Sequence, residues 1–304
     1  MTSLVAVLVN YNSEDELKRA LDSIAREAVG RWEGVVVDNG STDGSEQAAL
    51  EFPAVRLMKN RENVGFGRGV NQAMTASTAE YVLVMNPDCQ LSAGALTPLM
   101  AVLDADAACA IVAPRVLDPD GTPQGNARGD PDMLTGLFGR TSQLRRMFSG
   151  LDVARRNVVT DTTRHQDERH QDKQGGAVTV DWVSGACMLV RRSAIAAVGG
   201  FDERYFMYWE DADLCRRLRQ HGSTVCYVPA ATAVHRVGHS SRTARAASIR
   251  AFHDSAYLYY STHVAPGALN PKRWIARALL AARCWWKLRT GTRDPGPGTR
   301  NTSF

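Results

Sequence analysis

Leu4–Val9 is apolar at every position, and a strand with that pattern has to be covered on both faces, as the strands of parallel sheets are. Helical spacing follows at once over Glu14–Ala28, where Leu17, Leu21 and Ile24 share one face. Ser13, with Glu16 three residues on, reads as a capping box. The alternation then repeats. Gly34–Val37 predicts a second strand, DNGSTDGS a turn, Glu46–Glu51 a helix and Val55–Met58 a third strand. Gln72–Thr78, Tyr81–Met85 and Leu96–Leu103 predict helix, strand and helix. Strands alternating with helices imply an α/β fold with a mostly parallel sheet flanked by helices.

Past Pro114 the pattern weakens. Pro119–Pro131 is rich in Gly, Pro and Asp, and Arg155–Gly176 is a polar stretch with RHQD twice, which reads as a solvated loop. Order returns over Val178–Val190, with helices expected at Ser193–Val198 and from Glu210 to His221, Gly222 supplying the C′ position. Val225–Val228 is the last clear strand. At 100° per residue, Lys272–Arg289 puts Trp274, Ile275, Ala278, Leu279, Ala282, Trp285 and Trp286 on one face. Lys272, Arg273, Arg277, Arg283 and Lys287 fall on the other. That is the pattern of an interfacial membrane helix, or of a helix that packs its tryptophans and solvates its arginines. TGTRDPGPGTRNTSF reads as a disordered end.

Nothing approaches the roughly 20 apolar residues of a membrane span. The start MTSLVAVLVNYN lacks the basic region of a signal peptide. Six scattered cysteines without a CxxC pair indicate neither a zinc knuckle nor a disulfide framework. A reducing cytoplasm is the expected compartment, with peripheral contact at the inner face of the membrane. Residues 236–304 hold twelve lysines and arginines against two acids, so an acidic body carries a basic tail. That is not the profile of a nucleic-acid binder; it fits a cation-using site and an anionic partner for the tail.

Four segments occur in a telling order: VAVLVNYNSEDEL, VVVDNGSTDGS, YVLVMNPDCQL and FDERYFMYWEDADLCRRL. Together they resemble glycosyltransferase family 2, over roughly residues 1–240. The resemblance implies a GT-A catalytic domain over 1–240 and a basic helical extension over 241–304. WVSGACMLVRR and GFDERYFMYWEDADLCRR are most similar to bacterial rhamnosyltransferases that use dTDP-L-rhamnose.

The same resemblance implies roles. Asn10, Tyr11 and Asn12 follow the first strand, where ligands of open α/β sheets bind. Asp38, at the end of the second strand, would accept the N3–H of uracil or thymine; capping the DNGSTDGS turn is its other reading. Asn63 and Gly65 would shape the wall around the nucleotide sugar. Asn86-Pro87-Asp88 stands where many relatives carry Asp-x-Asp, which holds Mg2+ or Mn2+ on the donor diphosphate. Asn86 departs from that pattern, but one carboxylate with phosphate oxygens and waters suffices for Mg2+. His235 would complete the metal site, with His239 as the second choice. Asp211 would be the general base, with Glu210 and Asp213 supporting it, although acids at a helix start also simply suit its dipole. Trp182, Gly185 and Trp209 are the expected acceptor contacts. The donor would be a dTDP or UDP sugar, and the acceptor a glycan or polyprenyl-diphosphate-linked saccharide reached by membrane contact through 272–289.

Other classes fit less well. A dehydrogenase lacks its dinucleotide fingerprint: NVGFGRGVNQA is neither that motif nor a P-loop. A nucleotidyltransferase would need a basic, Gly-rich triphosphate loop near the start. An inactive nucleotide-sugar-binding scaffold would not keep Asp88, Asp211 and His235 together.

Overall fold

The computed structural model describes residues 3–27, 32–130, 172–173, 176–236 and 245–290. His239, both RHQD copies apart from 172, and the tail after 290 lie outside the described residues.

Strands β1 (Leu4–Asn10), β2 (Trp32–Asp38), β3 (Val55–Lys59) and β4 (Tyr81–Met85) form a parallel half-sheet in the order β3-β2-β1-β4. The sheet continues through β11 (Cys187–Arg191), antiparallel to β4, then β6 (Cys109–Leu117) and the long β12 (Thr224–His235), which runs parallel to β6. Short strands close the edge: β9 (Ala177–Val180) and β8 (Asp172–Lys173), with β5 (Cys89–Leu91) pairing the end of β12. A separate ribbon joins β7 (Ala127–Arg128) to β10 (Trp182–Val183). The β1–β4 half is thus parallel and the other half mixed.

Alternation along β1 decides the two layers. Val5, Val7 and Val9 face helices α2 (Phe66–Thr75) and α5 (Glu210–Gln220) through Val70, Leu214 and Leu218. Leu4, Ala6 and Leu8 face α1 (Glu16–Glu27) and α3 (Leu96–Ala105) through Leu17, Leu21, Leu99 and Leu103. α4 (Arg192–Ala197) caps β11.

Several expectations need correction. The capping box at α1 does not form: the Ser13 hydroxyl donates to Asn10 Oδ1, its N–H turns to Ser45, and Glu16 pairs with Arg19. The predicted helix at Glu46–Glu51 is a 3-10 turn, Ser45–Glu51. α2 begins six residues earlier than predicted, through Gly67 and Gly69. A Cβ at Gly69 would come within 2.9 Å of both Val9 methyls, so the glycine, which costs a helix about 1 kcal/mol, lets α2 lie against β1. β6 runs straight through Pro114, and the register of β12 shifts between Val228 and Thr232 opposite it. That irregularity accommodates the missing proline N–H.

Beyond the sheet, α6 (Arg245–Tyr259), a wide turn (Tyr260–Val264) and α7 (Pro271–Thr290) form a helical hairpin. α7 packs the opposite way from the tryptophans-inward expectation. Ala276, Leu280 and Lys287 are its buried residues. Arg273 and Arg277 lie over the ring of Tyr257, and Arg283 over Phe252. Their aliphatic stems and cation–π contacts make the basic side the packing side. Trp274, Trp285 and Trp286 remain 62%, 56% and 52% exposed, beside exposed Ile275 and Leu279. No described helix is long and apolar enough to cross a membrane.

Candidate active site

The carboxyl ends of β1, β2 and β4, the far end of β12 and the start of α5 converge. Asn10, fully buried, donates from Nδ2 to Asp38 Oδ1 (2.8 Å), Ser41 Oγ (3.1 Å) and Ser45 Oγ (2.9 Å). Ser41 in turn gives its hydroxyl to Asp38 Oδ1 (2.6 Å) and its N–H to Oδ2 (3.1 Å). Asp38, 3% exposed, therefore caps its own turn. Of the roughly four acceptor sites of a carboxylate, three are taken and one on Oδ2 remains. Asn12 adopts a left-handed backbone (φ 48°), and its Oδ1 accepts the Thr42 N–H at 2.8 Å, clipping the β1 loop onto the β2 loop. Tyr11 beside it is half-buried.

The wall of this cleft is an amide network. Asn39 Nδ2 donates to Asn63 Oδ1 and to the Gly65 carbonyl, each at 3.2 Å, and Asn63 Oδ1 accepts the Gly65 N–H at 3.0 Å. Gly65 has φ +93°, and a Cβ there would fall 2.5 Å from the Phe206 carbonyl oxygen. Only glycine fits that approach. The same carbonyl accepts the Phe66 N–H at 3.0 Å, so the 63–66 loop is stitched to the 201–209 loop.

Asn86 and Asp88 leave the end of β4. The Asn86 N–H donates to the Ala186 carbonyl (2.9 Å), while the Gly185 N–H donates to Asp211 Oδ2 (2.9 Å). Two successive residues thus bind the β4 end to the start of α5. Asp88 Oδ1 and His235 Nε2 lie 3.0 Å apart, and β5 pairs Cys89 with His235. The fit to a divalent ion is good: two ligands at right angles, each about 2.1 Å from one ion, stand about 3.0 Å apart. No group of three or more His, Cys, Asp or Glu able to hold a metal ion by itself occurs among the described residues. Diphosphate oxygens and waters would have to complete the shell, which is how Mg2+ is commonly held.

The three acids of α5 occupy different environments. Tyr208 and Trp209 both take left-handed backbone (φ 70° and 71°) immediately before the helix, costing about 1–3 kcal/mol each. Surrounding structure holds them: Trp209 packs on Tyr259 (5.3 Å between centroids), and the Ser255 hydroxyl donates to the Met207 carbonyl at 2.9 Å. Glu210 is buried, and burial, then the neighbouring Asp211 charge, pushes its carboxyl well above the usual range. Asp213, 1% exposed, is taken by Arg217 Nε (2.7 Å) and His263 Nε2 (2.6 Å). Asp211 alone of the three is half-buried; besides Gly185, the Ala212 N–H meets its Oδ1 at 2.8 Å.

Of the acceptor candidates, Gly185 and Trp209 stand beside Asp211, whereas Trp182 is buried, its Nε1 donating to the Gly129 carbonyl at 2.9 Å. Sequence reasoning passed over Gln124, which meets both His235 and Asp118, and His263. Neither carries a motif. Ser41 and Ser45 were visible only as turn residues.

The profile described as glycosyl transferase family 2 matches residues 5–199, and a related one, glycosyl transferase family group 2, matches 144–277. An N-acetylglucosaminyl-diphospho-decaprenol L-rhamnosyltransferase of Mycobacterium tuberculosis is 34% identical over 302 residues, covering 95% of this chain and 94% of its own. The rhamnosyltransferase WbbL of Escherichia coli is 52% identical over 64 residues, 21% of this chain and 24% of its own. Among solved structures, GalNAc-T7 with UDP, GalNAc and Mn2+ superposes with a TM-score of 0.58 at 14% identity, over 99% of this chain and 59% of that one. A mannosyltransferase of Pyrobaculum calidifontis with GDP-Man and Mn2+ gives 0.56 at 17%, over 95% and 76%. These likenesses share the fold, and the two profiles together with the full-length mycobacterial relative place the chain among the enzymes of glycosyltransferase family 2.

Proposed function

We propose that the enzyme moves L-rhamnose from dTDP-L-rhamnose to a hydroxyl of a glycan or polyprenyl-diphosphate-linked saccharide, in one inverting displacement. The observation that carries this reading is the Asp88–His235 pair at 3.0 Å, set at the strand ends and tied through Gly185–Ala186 to Asp211. The mycobacterial relative supports rhamnose as the sugar. Asp88 and His235 would hold a Mg2+ or Mn2+, which would supply positive charge toward the departing diphosphate, and Asp38 would offer its remaining acceptor site to the pyrimidine N3–H. Asp211 is the one half-buried carboxylate of the three acids, Glu210 and Asp213 being buried. It takes the acceptor hydroxyl proton as the new C1–O bond forms opposite the breaking C1–O–phosphate bond, whose electron pair leaves with dTDP. Gly185 and Trp209 stand nearest for the acceptor. A UDP-sugar donor is the alternative. Calorimetric titration separates them: dTDP is expected to bind most tightly, with UDP second. Tighter binding of GDP or ADP overturns the assignment.

The exposed face of α7 supports docking on a lipid surface beside such an acceptor. Because the arginines turn toward α6, docking rests on tryptophan burial, worth roughly 1–2 kcal/mol for each half-exposed indole. Replacing Trp274, Trp285 and Trp286 by serine is expected to lower co-sedimentation with phosphatidylglycerol vesicles at least about 10-fold, at low and high salt alike. Unchanged co-sedimentation, or loss only at low salt, overturns this contact.

A further inference from the structure

Gln124 lies in the Gly-, Pro- and Asp-rich stretch that follows β6, and it is buried. Its position is secured by backbone on both sides. The Gln124 N–H donates to the Val116 carbonyl at 2.9 Å, and the preceding residue, Pro123, bridges to Leu117. The turn before it is closed by Asp118 N–H to Thr122 O at 2.8 Å.

The amide's orientation follows from its partners. One end of Gln124 meets Asp118 Oδ1 at 2.8 Å and the His235 carbonyl oxygen at 2.7 Å. Both are acceptors, so that end must be the NH2 group. The other end is therefore the oxygen, and it stands 3.0 Å from His235 Nδ1. An oxygen there can only accept, so Nδ1 carries the proton. In neutral imidazole the lone pair then belongs to Nε2, which faces Asp88 Oδ1 at 3.0 Å. When the ring is neutral, two acceptors face each other, an arrangement that a cation between them relieves.

We infer that Gln124 is a positioning residue that locks His235 in its Nδ1–H tautomer and so presents Nε2 as a ligand to a divalent cation. Asp118 anchors the lock by holding the Gln124 amide the right way round. An outer partner on the second ring nitrogen both fixes the tautomer and orients the ring of a metal-binding histidine. The inference rests on the reading that Asp88 and His235 hold the cation.

Two measurements test it. In 15N-histidine-labelled protein, with the His235 signals assigned by their loss in His235→Gln, neutral His235 is expected to show a protonated Nδ1 and an unprotonated Nε2. Titration of Mn2+ by electron paramagnetic resonance in the presence of dTDP should then show Gln124→Leu binding about 10–100-fold more weakly. A folded Gln124→Leu protein with unchanged Mn2+ affinity overturns the lock while leaving the metal reading standing. Unchanged Mn2+ affinity in His235→Gln and Asp88→Asn overturns the metal reading and this inference with it. If Gln124→Leu does not fold, the wild-type spectrum decides: an Nε2–H tautomer overturns the lock.

Discussion

Asp211→Asn is expected to lower kcat by about 10²–10⁴, the usual worth of a general base, with the affinity for dTDP essentially unchanged. The asymmetry follows from position. Asp211 stands on the Gly185 side of the cleft, whereas the proposed nucleotide contacts lie around Asp38 and Asn63. Asparagine keeps the shape but offers one oxygen where aspartate offers two. Either the Gly185 or the Ala212 N–H then loses its acceptor, at a cost of about 1–3 kcal/mol of stability. A thermal melt separates that loss from the kinetic one. Glu210→Gln is the informative control. Burial disfavours the charged form of Glu210, so the amide should change kcat far less. If Asp211→Asn turns over normally, or Glu210→Gln falls equally far, the base lies elsewhere.

Asp88→Ala should remove transfer almost entirely, by about 10²–10³-fold or more, the scale of losing one electrostatic contact to a charge that develops in the transition state. Alanine leaves His235 Nε2 without its facing carboxylate and would deprive the proposed cation of its carboxylate ligand, Asn86 offering only a neutral oxygen. Excess EDTA should reproduce the effect in the wild type, and added Mn2+ should restore the wild type but not the variant. Undiminished transfer in EDTA overturns the metal reading; a normal rate in Asp88→Ala moves the ligand role to another residue.

Much of the β1–β4 half was legible because β1, β2 and β4 carry continuous apolar runs, and the strands fall on or close to the predicted spans. The rest failed for identifiable reasons. α2 hid its first turn behind Gly67 and Gly69, which serve close packing against Val9 and Phe201 rather than helix propensity. β12 runs on to His235 past Pro229 and a register shift, where composition no longer looks like a strand. α6 went unseen because its apolar residues form no clean stripe. The amphipathicity of α7 was plain, but not which side packs, because arginine stems over Tyr257 and Phe252 do the work of apolar residues. Motif positions picked out Asp88, His235 and Asp211 as candidates. The lone Gln124 had no pattern to mark it, since its role lies in three hydrogen bonds that only the fold assembles.

The grip of the helical hairpin on α5 bears on how such enzymes can be recombined. Asp213 takes His263 from the turn between α6 and α7, Arg216 reaches the His263 carbonyl, and Ser255 holds Met207. A chimera crossed over near residue 240 would bring a foreign tail to a native 201–216 segment and break these contacts unless the donor sequence supplied the same partners. Exchange of acceptor preference by tail grafting therefore requires moving the segment around Met207, Asp213 and Arg216 as one cassette with the tail. Where the two are inherited separately, Asp213 keeps Arg217 but loses its second partner in a site almost closed to water.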